Sequence, residues 1–305
     1  MDFRQLQYLT AVAEHRNVTK AAESLYISQS ALSHYIRKTE EELGVQLFDR
    51  STTPISLTYA GQCYIQSAQR ILLENQRLMK ELREITENMT GVLRIGISRD
   101  RAAYTLPRLM KDFRELYPGI QVDIFTESAQ QLREALKTGR IDLLLLPSDG
   151  REEDPGIISE KLYTEELVLC AGKGMLAEAG CLPDVSVLDQ QPFYLLKQEH
   201  ATRIFCEGFF RKHRIRPVIC NEVSSSVLCY RMAAAGMGFA IVPYMTTRLA
   251  DPGMEVALYS LGETPVTWDV NMYYRKDAYL GHPERDMIRL ARQLFSHEML
   301  APAEF

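Results

Sequence analysis

The chain has 305 residues, 35 basic against 40 acidic side chains for a net charge of −5, and apolar and charged shares of 46% and 25%. That length suits two or three modules, and the composition excludes a disordered or low-complexity polymer. No apolar run reaches membrane-spanning length without charges, and the first residues show no basic region followed by an apolar stretch, so a soluble cytoplasmic protein with no membrane partner is expected.

In chain order, Phe3, Leu6, Leu9 and Ala13 fall at helical spacing and predict an amphipathic helix over 3–13. Asn17, Val18 and Thr19 break it. Thr19 reads as the N-cap of a short helix ending at Leu25, and Ser28 as the N-cap of a longer one over 29–43 closed by Gly44. Two helices joined by the turn Tyr26-Ile27-Ser28 have the spacing of a helix-turn-helix. In the second helix Leu32, Ile36 and Leu43 mark the buried face, while Gln29, Ser33 and Arg37 line up at four-residue steps with Ser30 and His34 beside them. Such short hydrogen-bonding groups suit base edges in a major groove, and by themselves they suit a solvated helix face as well. The first 58 residues carry six basic and seven acidic side chains, so DNA binding here must come from the placement of positive groups and not from their total.

Residues 51–58 then predict a hairpin, a candidate wing, with Ile55 and Leu57 pointing one way. From 59 to 89 there is no proline, and Tyr64, Ala68, Ile71, Asn75, Leu78, Leu82, Ile85 and Met89 alternate four and three apart. That is a heptad seam, and a helix of this length packs either on a partner helix, making a homodimer or homotetramer, or on its own chain. From Gly91 short apolar runs at 92–97, 120–125 and 141–146 alternate with helical stretches, and a second set follows at 166–170, 192–196, 217–223 and 239–242. Parallel strands with crossover helices are expected, then a strand at 269–274 and a closing helix at 285–295.

The six cysteines have neither zinc spacing nor a disulfide framework, so no metal and no cofactor is expected. Most of them read as small buried apolar residues, with thiol sensing as the alternative. No G-x-G-x-x-G, G-x-S-x-G, Walker-type or H-E-x-x-H motif occurs, so binding without turnover is preferred to catalysis.

Four blocks in order carry a specific resemblance: Thr19-Lys20-Ala21-Ala22-Glu23-Ser24-Leu25, then Ile27-Ser28-Gln29-Ser30-Ala31-Leu32-Ser33, then residues 40–50 from Glu40 to Arg50, then Leu57-Thr58-Tyr59-Ala60-Gly61. The first 61 residues resemble the DNA-binding end of the LysR-type transcriptional regulators. The resemblance implies that Gln29, Ser33, His34 and Arg37 face DNA and that Arg50 holds a phosphate. Thr19, Ser30 and Lys38 complete the expected contacts. Two positions depart from the family: Thr53 stands where the wing often carries a basic residue, and Thr39 replaces a leucine, which implies a looser core there. The segments 91–96, 132–143 and 234–243 resemble the family's effector-binding domain more weakly.

The architecture implied is a winged helix-turn-helix over 1–58, a dimerising linker helix over 59–90 and a two-lobe α/β domain of periplasmic-binding-protein type over 91–305. The first lobe would take 91–163 and 266–305 and the second 164–265, with the chain crossing near Tyr163 and returning near Val266. In such lobes ligands sit at the carboxyl ends of strands, where helix N-termini present unpaired N–H groups. Ser98 and Arg99, then Thr126, Glu127 and Ser128, then Ser224, Ser225 and Ser226, and the loop with Lys197, Gln198, Thr202 and Arg203 occupy such places. Ser and Thr there also serve as plain N-caps. Arg99, Lys197 and Arg203 would give a cationic lining for an anionic small-molecule effector. The peroxide-sensing branch of the family carries a cysteine after the loop histidine, where Ala201 follows His200 here. The partners expected are double-stranded promoter DNA, the effector, further copies of the chain and RNA polymerase.

Overall fold

In the computed structural model the described residues are 2–85, 90–148, 150, 154–176, 180–182, 184–249, 253 and 255–295. They form two compact units, Met1–Thr86 and Glu87–Phe305.

The N-terminal unit begins with α1 (Phe3–His15), whose first turn is closed by a reciprocal box between Asp2 and Gln5. Helix α2 (Val18–Ser24) is capped by Asn17, which accepts from Lys20 N at 3.0 Å. Thr19, the cap expected from sequence, instead lies exposed inside the first turn, because Asn17 places a stronger acceptor two residues earlier. Helix α3 (Gln29–Leu43) starts at Ser28, which accepts from Ala31 N, and ends at Gly44 in the left-handed conformation, both as expected. Its buried face is Leu32, Ile36 and Thr39, whereas Leu43 is 46% exposed. The core ends one turn earlier than the periodicity implied, and at its edge Glu40 turns inward to accept from Leu47 N and Phe48 N. Thr39 is 3% exposed and donates its hydroxyl to Tyr35 O, so the leucine's place is filled by a satisfied polar group.

Strands β1 (Phe48–Asp49) and β2 (Ser56–Leu57) pair antiparallel to make the wing, with Ile55 and Leu57 packed on the core. Helix α4 (Tyr59–Ile85) buries Ile65 in that same core, with Ala68 one turn on also buried, so its first turns dock on their own chain. Farther along, the seam residues Ile71, Leu78 and Leu82 are 38%, 50% and 46% exposed. Met89, the last seam position, lies outside the described residues.

The second unit opens with β3 (Gly91–Ile97), α5 (Arg99–Leu116), β4 (Ile120–Phe125), α6 (Ala129–Lys137) and β5 (Leu143–Pro147), an alternation with β3 parallel to both β4 and β5. The unbroken leucine run of β5 is buried on both faces: Leu143 and Leu145 enter the core under α5, and Leu144 and Leu146 the one under α6. Next come β6 (Ile157–Gly172), β7 (Gly180–Leu182), β8 (Pro192–Leu196), α7 (Ala201–His213), β9 (Val218–Val223), α8 (Ser226–Ala234) and β10 (Ala240–Pro243). A 3-10 turn at Tyr244–Arg248, β11 (Val256–Leu261), β12 (Thr267–Arg275) and α9 (His282–Phe295) complete the unit.

The expectation of parallel strands holds for β3, β4 and β5 and for the pair β8 and β9. It fails for the centre of the main sheet, whose order is β4-β3-β5-β12-β6-β11-β7 with β10 also on β6, and where β12 and β6 run antiparallel to each other. The reason lies in β6. At 16 residues it outruns one lobe: its first part pairs with β12 through Glu166, and from Leu167 onward it pairs with β10 and β11. A strand that carries the chain from one lobe to the other needs a return strand of opposite direction, and β12 supplies it.

Candidate functional site

On the N-terminal unit the face of α3 opposite Leu32 and Ile36 presents Gln29, Ser30, His34, Arg37 and Lys38 to solvent, with Ser33 half-buried between them. Gln29 Nε2 donates to Ser33 Oγ at 3.2 Å and Ser30 Oγ lies 3.1 Å from Ser28 Oγ, so the polar start of the helix is pre-arranged. Lys38 stands 3.9 Å from Glu42, an exposed pair that holds it only weakly. Arg50 is bound to Glu40 at 3.1 Å, and the same carboxylate ties α3 to the first wing strand. The acidic run that weighed against DNA binding in the charge count thus contains a residue that positions a cation. Nothing in the local pattern marks Glu40 off from Glu41 and Glu42, because its partners are backbone groups seven and eight residues away.

Between the two lobes of the second unit lies a cleft of about 320 Å³, of a size for a small metabolite. Helices α5, α6, α7 and α8 all begin at it, so four sets of N-terminal N–H groups converge. Of the residues expected from sequence, Ser98, Arg99, Thr126, Glu127, Ser128, Thr202, Ser224 and Ser226 line this one cleft, whereas Lys197, Gln198, Arg203 and Ser225 do not. Ser98 caps α5 without spending its hydroxyl on the helix. Ser128 spends its own on a capping box with Gln131.

The cationic lining is smaller than expected. Arg203 is 4% exposed and is consumed within its lobe by Leu196 O at 2.9 Å, Glu222 at 2.5 Å and Glu207 at 3.0 Å. Lys197 is exposed outside the cleft. Arg99, Arg101 and Arg133 are the lining arginines, the last with its guanidinium 5.0 Å from the centre of the Tyr273 ring, and Glu127 and Glu199 lie among them.

Two groups that sequence reading missed organise the cleft. Asp100, in the first turn of α5, reaches the start of α8 on the other lobe and accepts from Ser226 N and Ser226 Oγ, each at 2.6 Å, and from Ser225 Oγ at 3.3 Å. Ser225 and Ser226 therefore bind an internal carboxylate that offsets the positive end of α8. Arg101 is 1% exposed and pairs with Glu165, 0% exposed, at 2.8 Å; it also donates to Tyr163. Glu165 further accepts from Trp268 Nε1 and Met245 N, both at 3.0 Å. Burial opposes the Arg101 charge most strongly, but Glu165 and Tyr163 together outweigh it and hold the guanidinium pKa above its ordinary value. One buried carboxylate thus joins α5, the crossing strand, the return strand and the turn after β10.

His200 caps α7 at the rim, and burial holds its imidazole below the usual pKa, which favours the neutral form. Cys206, on the next turns of α7, is 1% exposed, and burial pushes its thiol far above the usual range, the reverse of what a reactive thiol needs. With Ala201 following His200, this helix has no accessible sulfur at the cleft. Cys63, Cys170, Cys206, Cys220 and Cys229 are free thiols, and among the described residues no cluster of metal-ligating side chains occurs. No helix among the described residues is long and apolar enough to cross a membrane.

Residues 3–62 match the family model of the bacterial regulatory helix-turn-helix protein, lysR family, and residues 86–296 that of the LysR substrate binding domain. The chain is 30% identical over 281 residues to the HTH-type transcriptional regulator ClcR of Pseudomonas putida, covering 91% of this chain and 94% of ClcR. It is 29% identical over 244 residues to the DNA-binding transcriptional dual regulator OxyR of Escherichia coli (strain K12), covering 80% and 79%. A full-length OxyR variant from Pseudomonas aeruginosa shares its fold with a TM-score of 0.71 at 22% identity, over 99% of this chain and 96% of that one. With both modules matched in order, the chain belongs to the LysR family: it is a transcriptional regulator, not an enzyme, with a helix-turn-helix DNA-binding domain and a substrate-binding domain.

Proposed function

We propose that paired N-terminal units read an inverted-repeat promoter site in cytoplasmic DNA, with Gln29, Ser30, Ser33, His34 and Arg37 at base edges and Thr19, Lys38 and Arg50 toward the phosphates. The observation that carries this reading is the polar stripe of α3, exposed opposite a fully buried apolar face. Arg37→Ala should weaken binding by about 1 to 3 kcal/mol if the guanidinium reads a base. Titrations of the variant with cross-link-recovered sites at several salt concentrations check it; undiminished affinity for every site would take Arg37 out of the interface.

Pairing is assigned to the linker helix within the division 1–58, 59–90 and 91–305, because its heptad seam carries exposed large apolar side chains such as Ile71 and Leu78. Replacing Leu78 and Leu82 by Asp places like charges in that seam and should yield monomers. Analytical ultracentrifugation reads the outcome, and an unchanged dimer or tetramer would move the interface elsewhere.

The regulatory input, on our reading, is a small anionic effector in the cleft, met by Ser98, Arg99, Thr126, Thr202 and Ser224 and by the N-termini of α5 and α7, with Glu127 and Ser128 at its edge. Transmission to RNA polymerase follows from how the effector alters DNA binding, and a ligand that shifts DNA affinity must have its own affinity shifted equally by DNA. The chain has a single tryptophan, Trp268, and it lines this cleft, so its emission is a built-in probe. Titration with a panel of small carboxylates should find a saturable emission change that Arg99→Ala and Ser224→Ala weaken. A saturable ligand indifferent to both substitutions would place the effector site elsewhere.

A further inference from the structure

Tyr26 stands out as a cost without a return inside the protein. Its φ is 55°, the left-handed region that favours glycine, and its side chain is 96% exposed. The conformation is set by the way α2 ends: Tyr26 N donates to Glu23 O at 3.1 Å and Ile27 N to Ala22 O at 3.0 Å, which reverses the chain at the residue where helices most often place glycine. Leu25 and Ile27 on either side pack against the core, and Tyr26 stays in solvent. A bulky side chain held in a strained conformation with no internal contact is the kind of outlier that accumulates at functional sites.

Its position supplies the partner. Tyr26 lies two residues before Ser28, the cap of α3. In helix-turn-helix docking the second helix enters the major groove by its N-terminus while the first crosses the backbone, so the connecting turn rides over the sugar–phosphate chain. Tyrosine hydroxyls are among the neutral groups that donate to phosphate oxygens. Neutral donors matter in this unit, whose cations do not outnumber its acids and where Arg50 and Lys38 already face Glu40 and Glu42.

We infer that Tyr26 is a DNA-backbone anchor whose phenolic hydroxyl donates to a phosphate flanking the groove that α3 enters. A neutral donor adds affinity without releasing a counterion. It therefore has a signature different from that of a lysine or arginine contact, whose loss lowers the salt slope by about one.

Because a phosphate contact is indifferent to sequence, the probe is a labelled duplex of mixed sequence, with anisotropy titrations of the full chain over a range of low salt concentrations. Tyr26→Phe should bind about fivefold more weakly, with an unchanged slope of log affinity against log salt and an unchanged melting midpoint. Tyr26→Gly should bind about tenfold more weakly while melting some degrees higher, since glycine adopts this φ at no steric cost. Opposite movement of stability and affinity is not expected of a residue that only supports the fold. A Tyr26→Phe protein that binds like the wild type overturns the hydroxyl contact whatever Tyr26→Gly does, and a reduced salt slope in either variant overturns the neutral-donor assignment.

Discussion

Gly61→Ala is expected to abolish DNA binding by unfolding the N-terminal unit, although Gly61 lies on α4 and not on the recognition helix. A Cβ built at Gly61 would sit 1.9 Å from Leu47 O and 2.9 Å from Leu47 C, both backbone atoms with no rotamer to step aside. Leu47 and Phe48 are 1% and 3% exposed and start the wing, so the clash would propagate into the core. Thr58 binds the same junction: its N–H donates to Leu47 O at 3.0 Å, its hydroxyl donates to Gln46 O at 2.7 Å, and it accepts from Gly61 N at 2.9 Å. Overpacking commonly costs about 1 to 3 kcal/mol, and a Cβ driven into a neighbouring backbone belongs at or above the top of that range. Thr58→Ala, which loses only the cap, should cost about 1 kcal/mol and leave binding measurable. Thermal unfolding by circular dichroism with parallel DNA titration separates the two. A Gly61→Ala protein with wild-type melting and affinity would mean that the approach of α4 to Leu47 is wrong.

The second large effect is expected at Glu165. Glu165→Ala leaves the buried Arg101 guanidinium without its counter-charge and strands the indole N–H of Trp268 and the amide of Met245. Breaking a buried pair from one side costs about 3 to 5 kcal/mol, because the remaining charge keeps its desolvation penalty. Glu165→Gln keeps the shape and part of the hydrogen bonding and should cost less. Denaturant unfolding followed by the emission of Trp268 reports the loss at the place where it occurs. The replacement of Arg101 and Glu165 together by apolar residues is the informative control: if the double variant recovers most of the loss, the penalty belongs to the stranded charge and not to missing contacts. Equal stability of Glu165→Ala and wild type would exclude this carboxylate as the tie between the lobes.

Much of the chain was legible from local pattern, because the forces that specify those parts act within a few residues. The cap at Ser28, the stop at Gly44, the period of Leu32 and Ile36, the wing with Ile55 and Leu57, and the strand–helix alternation after Gly91 all follow from helical or strand period and from orphan backbone groups. Order and spacing also placed eight of the twelve candidate effector residues around one cleft, since strand ends followed by helix starts gather on one side of an α/β sheet. Where local rules met a competitor the reading slipped by a turn or less: Asn17 displaced Thr19 as a cap, and Glu40 and Thr39 closed a core edge that Leu43 was expected to cover.

What only the tertiary structure decided concerns charge and direction. Whether a cation is available depends on partners far off in sequence, and periodicity carries no information about them. Arg203 meets Glu222 across a strand, Arg101 meets Glu165 some sixty residues away, and Asp100 crosses from one lobe to the N-terminus of α8 on the other. The antiparallel passage of β6 and β12 is decided in the same way, because a strand's direction relative to its neighbours is a property of the assembled sheet. By itself, then, the sequence determined the modules, their order and the polar groups placed on the exposed face of α3 and at the helix starts around the cleft. Folding in three dimensions decided which of those groups stay free, since a buried charge or helix end takes whatever counterpart the chain brings within reach.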